Sequence, residues 1–173
     1  MIRFGALVVA FAALLVMPVY AASSALSPEA NAAYLAANAK KPGVMVQPSG
    51  LQYKIIKSGY GQRPAATDKV QVYYSGALIN GTVFDSTEPG LPATFTVDEL
   101  IPGWTEALEI MREGDHWQLV IPANLAYGAR GAGDGLIPPN QTLVFDLELV
   151  KVLPPPPAPP SDDSDSGGGG GNQ

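Results

Sequence analysis

The chain has 173 residues, no cysteine and a formal net charge of -6. Without cysteine it can form no disulfide, and it offers neither a thiolate metal ligand nor a cysteine nucleophile. The acidic balance gives no electrostatic footprint for nucleic acid or anionic lipid, so we expect no nucleic-acid binding.

Residues 1–21 have the pattern of a secretory signal peptide. Arg3 supplies the positive charge, residues 4–17 form an apolar run, and residues 19–21 fit the small-residue cleavage rule, with cleavage one residue later as the neighbouring option. An uncleaved anchor is the alternative, because a membrane-spanning helix needs roughly 20 apolar residues and this run nearly reaches that length. Pro18 suits a processing site better than a helix through lipid, so we expect cleavage and export.

Residues 22–48 are predicted to form a short helical arm. Ser27 can cap the helix, Pro28 suits its first position and Glu29 complements the positive end of the helix dipole, while two lysines lie at the other end. The apolar residues between 27 and 41 are mostly alanine, so this helix cannot build a core of its own. We interpret it as a spacer or as an arm that docks on the following domain.

Residues 49–153 are predicted to form one folded domain of a common size. Strands are predicted where apolar and polar residues alternate, at residues 51–55, 70–78, 95–97, 117–121 and 143–150. One helix is predicted between them, with an apolar stripe from Trp104 to Met111 and Gly114 at its end. Several strands and one well-formed helix indicate an α+β fold, in which an antiparallel β-sheet wraps around one short α-helix.

Residues 154–173 are predicted to be disordered. Residues 154–160 are nearly all proline and favour an extended polyproline II segment, and the remainder has too little apolar surface to fold. A proline-rich motif that recruits a partner is the alternative. Asp162, Asp163 and Asp165 lack the turn glycine and distal glutamate of a calcium loop, so no metal site is expected.

Three blocks of the domain place aromatic or branched residues beside isolated polar groups. In residues 70–86, apolar and polar residues alternate as far as Ser75, Gly76 and Gly81 bracket a turn, and a Phe-Asp-Ser run follows. Residues 100–104 lead into the helix at a tryptophan, and residues 126–149 pass from an Ala-Tyr-Gly run through a proline pair into the last strand. Together these blocks predict an apolar pocket that contains a few oriented hydrogen-bonding groups.

In these blocks the chain resembles the FKBP-type peptidyl-prolyl cis-trans isomerases, and the resemblance covers residues 49–153. It rests on several short motifs in one order, at residues 72–76, 81–86, 101–104, 126–128, 137–139 and 143–146. Residues 31–41 and 49–53 are further similar to the exported bacterial macrophage-infectivity-potentiator branch. That branch usually carries a longer N-terminal region that dimerises. Only about 20 residues lie between the expected cleavage site and Pro42, too few for that region, so we expect a monomer. The resemblance implies an FKBP-like fold and the periplasm as the favoured compartment, with membrane-tethered and secreted forms as alternatives.

The resemblance implies catalysis of rotation about X-Pro bonds in folding exported proteins. Amide resonance creates a barrier of roughly 18–20 kcal/mol to that rotation. No covalent bond is made or broken, so neither a nucleophile nor a metal nor a cofactor is expected. A dry pocket that favours the twisted, less polar amide over the planar one would lower the barrier by desolvation and positioning.

The resemblance also implies roles for particular residues. Asp85 and Tyr127 are the catalytic candidates, with Asp85 near the rotating imide in an electrostatic role. The Tyr127 hydroxyl and the Ile101 backbone N–H would donate hydrogen bonds to substrate carbonyls. The pocket, floored by an indole, is expected to comprise Tyr74, Phe84, Leu100, Ile101, Trp104, Ile137 and Phe145. Taken singly, the rings could be ordinary core and Asp85 could cap a turn, so the prediction depends on their joint occurrence.

Two departures from the family pattern concern the pocket rim. Ala93 stands where many members carry a bulky aromatic residue, which implies a lower wall and weaker binding of macrolide inhibitors. No arginine lies near Glu88-Pro89-Gly90 to pair with Asp85, so we expect Tyr74 or backbone donors to hold that carboxylate. The expected partners are proline-containing unfolded or partly folded polypeptides, and macrolides are candidate inhibitors.

The sequence leaves two other hypotheses open for the domain and its C-terminal tail. The domain could be a holdase or proline-segment binding module whose isomerase activity is incidental. Residues 154–160 could also occupy the pocket of their own chain and inhibit it. His116, the sole histidine, is interpreted as a turn residue without an acid–base partner.

Overall fold

A seven-stranded antiparallel sheet dominates the computed structural model, which describes residues 25–153. The strands are β1 Val44–Val46, β2 Gln52–Lys57, β3 Lys69–Leu78, β4 Val83–Ser86, β5 Ala93–Thr96, β6 His116–Ile121 and β7 Leu143–Leu153. Their order is β1-β2-β6-β7-β3-β4, and β5 also pairs with β3. One edge of β3 pairs with β7 along its length, and the other edge pairs with β4 and β5 one after the other.

Two α-helices, α1 Pro28–Asn38 and α2 Pro102–Ile110, lie on opposite faces of this sheet. The start of α2 approaches the side chains of Ile121 and Phe145. In contrast, α1 bonds to the side chain of Gln52, which is paired with Val120. Val120 and Ile121 are consecutive residues of β6, and successive residues of a strand point to opposite faces of the sheet. Helix α1 therefore covers the outer face and α2 the inner one. Short 3₁₀ segments connect the elements at Val97–Glu99, Ala123–Leu125, Gly128–Arg130 and Gly133–Gly135.

The hydrophobic core lies between α2 and the inner face of the sheet. Strand β7 shows how the sequence builds it, because the side chains of Leu143, Phe145, Leu147 and Leu149 are buried and alternate with more exposed residues. The stripe of α2 that meets them is buried as well. Burying one large apolar side chain stabilises a fold by about 1.5–3 kcal/mol. The predicted fold, an antiparallel sheet around one short helix, is confirmed.

Both helices end earlier than the sequence predicts. Helix α1 stops at Asn38, before the lysine pair, because the residue that precedes Pro42 disfavours the helical conformation. Helix α2 stops before Met111, which is extended. There the Asp115 carboxylate accepts a hydrogen bond from the backbone N–H of residue 112 at 2.7 Å. The helix therefore ends before Gly114 is reached.

Three edge strands depart from the prediction. Strands β1 and β4 are absent from it because three or four residues are too few for a period of two to be recognised. Strand β5 begins at Ala93, two residues ahead of the predicted start, and Ala93 pairs with Val72. Strand β1 pairs with β2, so the sheet includes residues 44–46 of the predicted helical arm.

The interpretation of His116 as a turn residue without a partner is wrong. His116 begins β6, and its Nε2 lies 2.6 Å from Oδ1 of Asp146 on β7. The register of the two strands pairs Gln118 with Asp146 and His116 with Glu148, so the imidazole and the carboxylate are diagonal neighbours on one face. Thirty residues separate the pair in the chain, and only the strand register brings them together.

The predicted signal segment (1–21) and the predicted tail (154–173) lie outside the described residues. Between residues 25 and 153, none of the helices has the length and apolar character that crossing a bilayer requires. The same part of the chain has no group of three or more His, Cys, Asp or Glu side chains arranged to hold a metal ion.

Candidate active site

The start of α2 places an indole at the bottom of a cavity. Ile101 is the extended N-cap and Pro102 takes the first helical position, so Trp104 falls in the first turn. Gly103 lets this turn lie directly on β6, because a Cβ atom there would come within 2.4 Å of a methyl carbon of Ile121. The indole is held against the sheet and is only 4% exposed.

Three aromatic rings stand edge-on to this indole. The ring centroids of Tyr74, Phe145 and Phe95 lie 5.2, 5.2 and 6.0 Å from that of Trp104, at interplanar angles of 86°, 83° and 89°. Phe84 meets Phe145 in the same way, at 5.7 Å and 85°. Edge-to-face pairs contribute about 0.5–1.5 kcal/mol each beyond their buried area, so the walls are fixed by mutual contact.

Gly76 on β3 makes room for two of these rings. A Cβ atom at this position would lie 2.6 Å from the ring of Phe145 and 2.7 Å from the ring of Phe84, so only glycine fits. Gly76 is also the strand partner of Asp85 on β4. The close approach therefore brings a carboxylate to the border of an aromatic enclosure.

The rings and their neighbours enclose a cavity of about 150 Å³. It is lined by Tyr74, Phe84, Asp85, Phe95, Leu100, Ile101, Trp104, Tyr127 and Phe145. An apolar cavity of about this size accepts benzene, which has one ring atom more than the pyrrolidine ring of proline. The enclosure therefore has room for a proline ring next to a carboxylate and a phenol.

Eight of the nine residues predicted from the sequence line this one cavity. The ninth, Ile137, is not among them: it forms a bridge with Ala132 and is buried in the core at 5% exposure. The sequence analysis missed Phe95. Alternate residues of a strand share a face, so an aromatic residue two positions after Ala93 was the available signal. The ring of Phe95 forms one wall of the cavity, whereas Ala93 does not line it.

Tyr74 holds the carboxylate of Asp85. Its hydroxyl donates a hydrogen bond to Asp85 Oδ2 at 2.6 Å, one of the two arrangements expected without a nearby arginine. Burial, followed by the hydrogen bond to Asp85 and the charge of that carboxylate, raises the pKa of Tyr74. The phenol therefore stays protonated and remains a donor at all physiological pH values.

Tyr127 approaches the cavity from the loop between β6 and β7. Its side chain is 39% exposed, so it lies at the mouth of the cavity while Trp104 forms the floor. Burial and, to a smaller extent, the charge of Asp85 raise the pKa of the Tyr127 hydroxyl. The site thus combines a carboxylate acceptor with a neutral hydroxyl donor beside apolar walls.

Comparison with families of known proteins gives a match over most of the folded region. A family model described as "FKBP-type peptidyl-prolyl cis-trans isomerase" matches residues 61–150. The chain belongs to this family. A second model, described as the domain amino-terminal to FKBP-type peptidyl-prolyl isomerase, matches residues 19–55.

The curated relatives of this FKBP-type chain include proteins of the predicted branch. "Outer membrane protein MIP" of Legionella longbeachae is 57% identical over 121 residues, which are 69% of this chain and 52% of that protein. The "FKBP-type 22 kDa peptidyl-prolyl cis-trans isomerase" of Escherichia coli is 55% identical over 121 residues, 69% of this chain and 58% of that protein. The chain spans little more than half the length of these two relatives.

Solved structures of the family confirm the fold. A peptidyl-prolyl cis-trans isomerase from Pseudomonas syringae has a TM-score of 0.68 and 42% sequence identity, covering 72% of this chain and 92% of that one. The crystal structure of FkpA from Escherichia coli has a TM-score of 0.69 and 44% identity, covering 73% and 59%. The resemblance inferred from the short motifs is therefore confirmed at the level of both family and branch.

Proposed function

We propose that this FKBP-type chain catalyses cis–trans isomerisation of X-Pro bonds in polypeptide substrates. The observation that carries the proposal is the aromatic cavity of about 150 Å³ with Asp85 and Tyr127 at its border. The names of the relatives support an isomerase rather than a holdase whose isomerase activity is incidental. A proline ring seated on Trp104 would place the preceding peptide bond between the carboxylate and the phenol.

Desolvation is the main proposed contribution to catalysis. The planar amide owes its large dipole and its barrier to resonance, and both decrease as the bond twists. Apolar walls replace water around the bond, so they favour the less polar twisted state over the planar ground state. Trp104 and its three edge-on neighbours would supply these walls without rearranging.

Two donors are proposed to hold the flanking chain while the bond rotates. The N-terminal N–H groups of a helix have no intrahelical acceptor, so the N–H of Ile101, the N-cap of α2, can donate to a substrate carbonyl. The neutral Tyr127 hydroxyl is the second donor. Asp85 acts electrostatically near the imide, because its oxygen Oδ2 already accepts the hydrogen bond of Tyr74.

The proposal is tested with a proline peptide in a protease-coupled or refolding assay of the full chain. We expect the wild type to accelerate isomerisation. Tyr127→Phe should lower kcat/KM by about two- to tenfold, the equivalent of one net hydrogen bond. Asp85→Asn should lower it by a similar or larger factor, because it removes the negative charge at the border of the cavity.

Each variant has a matched control on the surface. Tyr60→Phe removes a phenol that is 93% exposed, and Asp98→Asn removes an exposed carboxylate. Both controls should retain the wild-type rate. A wild-type protein that leaves the rate of the uncatalysed reaction unchanged would show the proposal to be wrong, and so would controls as impaired as the site variants.

We further propose that the protein is exported to the periplasm, where a monomer acts on unfolded or partly folded proline-containing chains. Export is supported by the signal-like pattern of residues 1–21 and by the name of the Legionella relative, an outer membrane protein. N-terminal sequencing of the fractionated protein tests export, and sedimentation velocity tests the monomer. Macrolides are proposed as weak ligands of the same cavity.

A further inference from the structure

The loop that carries Tyr127 ends beneath α1. Residues 122–142 connect β6 to β7, and their last two residues, Gln141 and Thr142, are 6% and 2% exposed. We propose that Asn31 of α1 is a positioning residue, which fixes this loop and thereby the Tyr127 hydroxyl at the cavity. The inference rests on the proposed function and adds α1 to the framework of the active site.

Asn31 is buried, and both the oxygen and the nitrogen of its side-chain amide form hydrogen bonds. Its Oδ1 accepts a hydrogen bond from the backbone N–H of Thr142 at 2.7 Å. Its Nδ2 donates to Gln141 Oε1 at 3.1 Å and to the carbonyl oxygen of Ser27 at 3.0 Å. The residue is 4% exposed, so these bonds form away from solvent, where an unmade bond is costly. One side chain of α1 thus joins the helix to the end of the loop.

Gln141 completes the connection from the side of the loop. Its Nε2 donates to the carbonyl oxygen of Leu26 at 3.1 Å and to that of Pro139 at 3.0 Å. Leu26 precedes α1, and its carbonyl also accepts from Asn31 at 3.2 Å. The segment before the helix, the helix and the end of the loop therefore share one network of buried amide groups.

The anchored end of the loop is bonded to its beginning. The backbone N–H of Asn140 donates to the carbonyl oxygen of Gly128, the residue after Tyr127, at 2.8 Å. Within the loop, Ala132 and Ile137 exchange two backbone hydrogen bonds of 3.0 Å each. Fixing residues 139–142 against α1 therefore restricts residue 128, one position from the phenol that borders the cavity.

The same helix contains a matched comparison residue. Asn38, which is 3% exposed, donates through Nδ2 to Gln52 Oε1 at 2.9 Å, and Gln52 Nε2 donates to the carbonyl of Leu35 at 3.0 Å. Asn38 is thus a buried asparagine of α1 bonded to a buried glutamine, like Asn31. Its partner lies on β2 and not on the loop, so its loss removes a buried asparagine–glutamine bond of the same kind without touching residues 126–142.

We call the hydrogen-bonded network of Asn31, Gln141 and Thr142 the brace. Amide hydrogen exchange tests it without requiring any activity. In Asn31→Ala, the backbone amides of Ala132, Ile137 and Asn140 should exchange about tenfold faster, because local opening of the loop costs less free energy. In Asn38→Ala these amides should exchange at the wild-type rate. Gln141→Met removes the side-chain bonds of the link from the loop side, while the bond from the Thr142 N–H to Asn31 remains. It should therefore speed exchange of the same amides by a smaller factor, and it keeps the test available if Asn31→Ala does not fold.

Activity tests whether the brace acts through Tyr127. We expect Asn31→Ala to lower kcat/KM by about two- to tenfold, measured where every variant is folded. In a Tyr127→Phe background the same substitution should have little further effect, because the hydroxyl that it positions is gone. Asn38→Ala should leave kcat/KM within about twofold of the wild type, alone and in that background.

Each outcome decides the inference. Unchanged loop exchange in both Asn31→Ala and Gln141→Met would overturn it, and so would equal effects of Asn31→Ala and Asn38→Ala on the loop amides. A loss of activity that persists undiminished in the Tyr127→Phe background would assign Asn31 to stability alone. If the wild type proves inactive, the proposed function fails while the exchange experiment still decides whether the brace exists.

Discussion

Asp85 and Tyr127 border the cavity as two different kinds of polar group, and their surroundings set the difference. Asp85 is an acceptor, held at 2.6 Å by the Tyr74 hydroxyl. Tyr127 is a donor, because burial and the nearby charge raise the pKa of its hydroxyl and keep it neutral. Removal of water strengthens such fixed polar contacts. At this scale the short motifs were enough to place both residues beside the cavity, while their catalytic roles stay a prediction.

The protonation of Tyr127 leads to a prediction for pH. Its folded-state pKa is raised above the ordinary value of 10, so its contribution to stability is complete below about pH 10 and is lost as pH rises through the higher folded value. We therefore expect the Tyr127-dependent part of kcat/KM to stay constant from about pH 7 to pH 10. Parallel profiles of wild type and Tyr127→Phe measure it. A decrease with a midpoint below 10 in the wild type alone would contradict the prediction.

At the scale of elements, short segments hold the site together. Strand β5 has four residues, yet its Phe95 forms a wall of the cavity 6.0 Å from both Tyr74 and Trp104.

Helix α1 binds the outer face of the sheet through asparagines rather than through a hydrophobic stripe. Of the two roles that the sequence left open for α1, spacer or docking arm, the structure shows docking. Asn31, Leu35 and Asn38 recur at i, i+4 and i+7, which was the available signal.

Phe95 provides a prediction at the same scale. Phe95→Ala should destabilise the fold by about 2–4 kcal/mol, less than a fully buried phenylalanine can cost because the ring is partly exposed. It should also lower kcat/KM, since water gains access to the indole floor. Denaturant unfolding and the isomerase assay measure the two effects. Phe95→Leu keeps an apolar wall and should retain most of both, so equal losses in the two variants would contradict this role.

At the scale of the whole molecule, the two tryptophans lie in separate environments. Trp104 is the floor of the cavity, whereas the ring of Trp117 stacks on Tyr53 at 4.5 Å and 9°. Neither indole Nε1 has a hydrogen-bond partner within residues 25–153. Both contribute to one continuous core. The fluorescence of Trp104 can therefore report on the cavity, whereas Trp117 lies away from it and serves as an internal reference.

This separation predicts which tryptophan senses a ligand. A proline peptide that enters the cavity replaces water over Trp104, so it should change the intrinsic fluorescence of the wild type. Trp117→Phe should keep that change, and Trp104→Phe should lose it at peptide concentrations that saturate the wild type. Titration of the three proteins measures this. A response that survives in Trp104→Phe would place the peptide somewhere other than the cavity.

Local sequence patterns were sufficient to predict the central strands, the apolar stripe of α2, the family and eight of the residues around the cavity. These features depend on local periodicity or on short motifs, both of which are properties of consecutive residues. Four features required the folded structure: Ile137 is buried in the core, Phe95 forms a wall of the cavity, His116 contacts Asp146 and Asn31 bonds to Gln141. In each case the partners are joined by strand register or by a helix docked on a sheet. The energies of these contacts depend on distances between segments that are far apart in the chain, and no local sequence pattern specifies those distances.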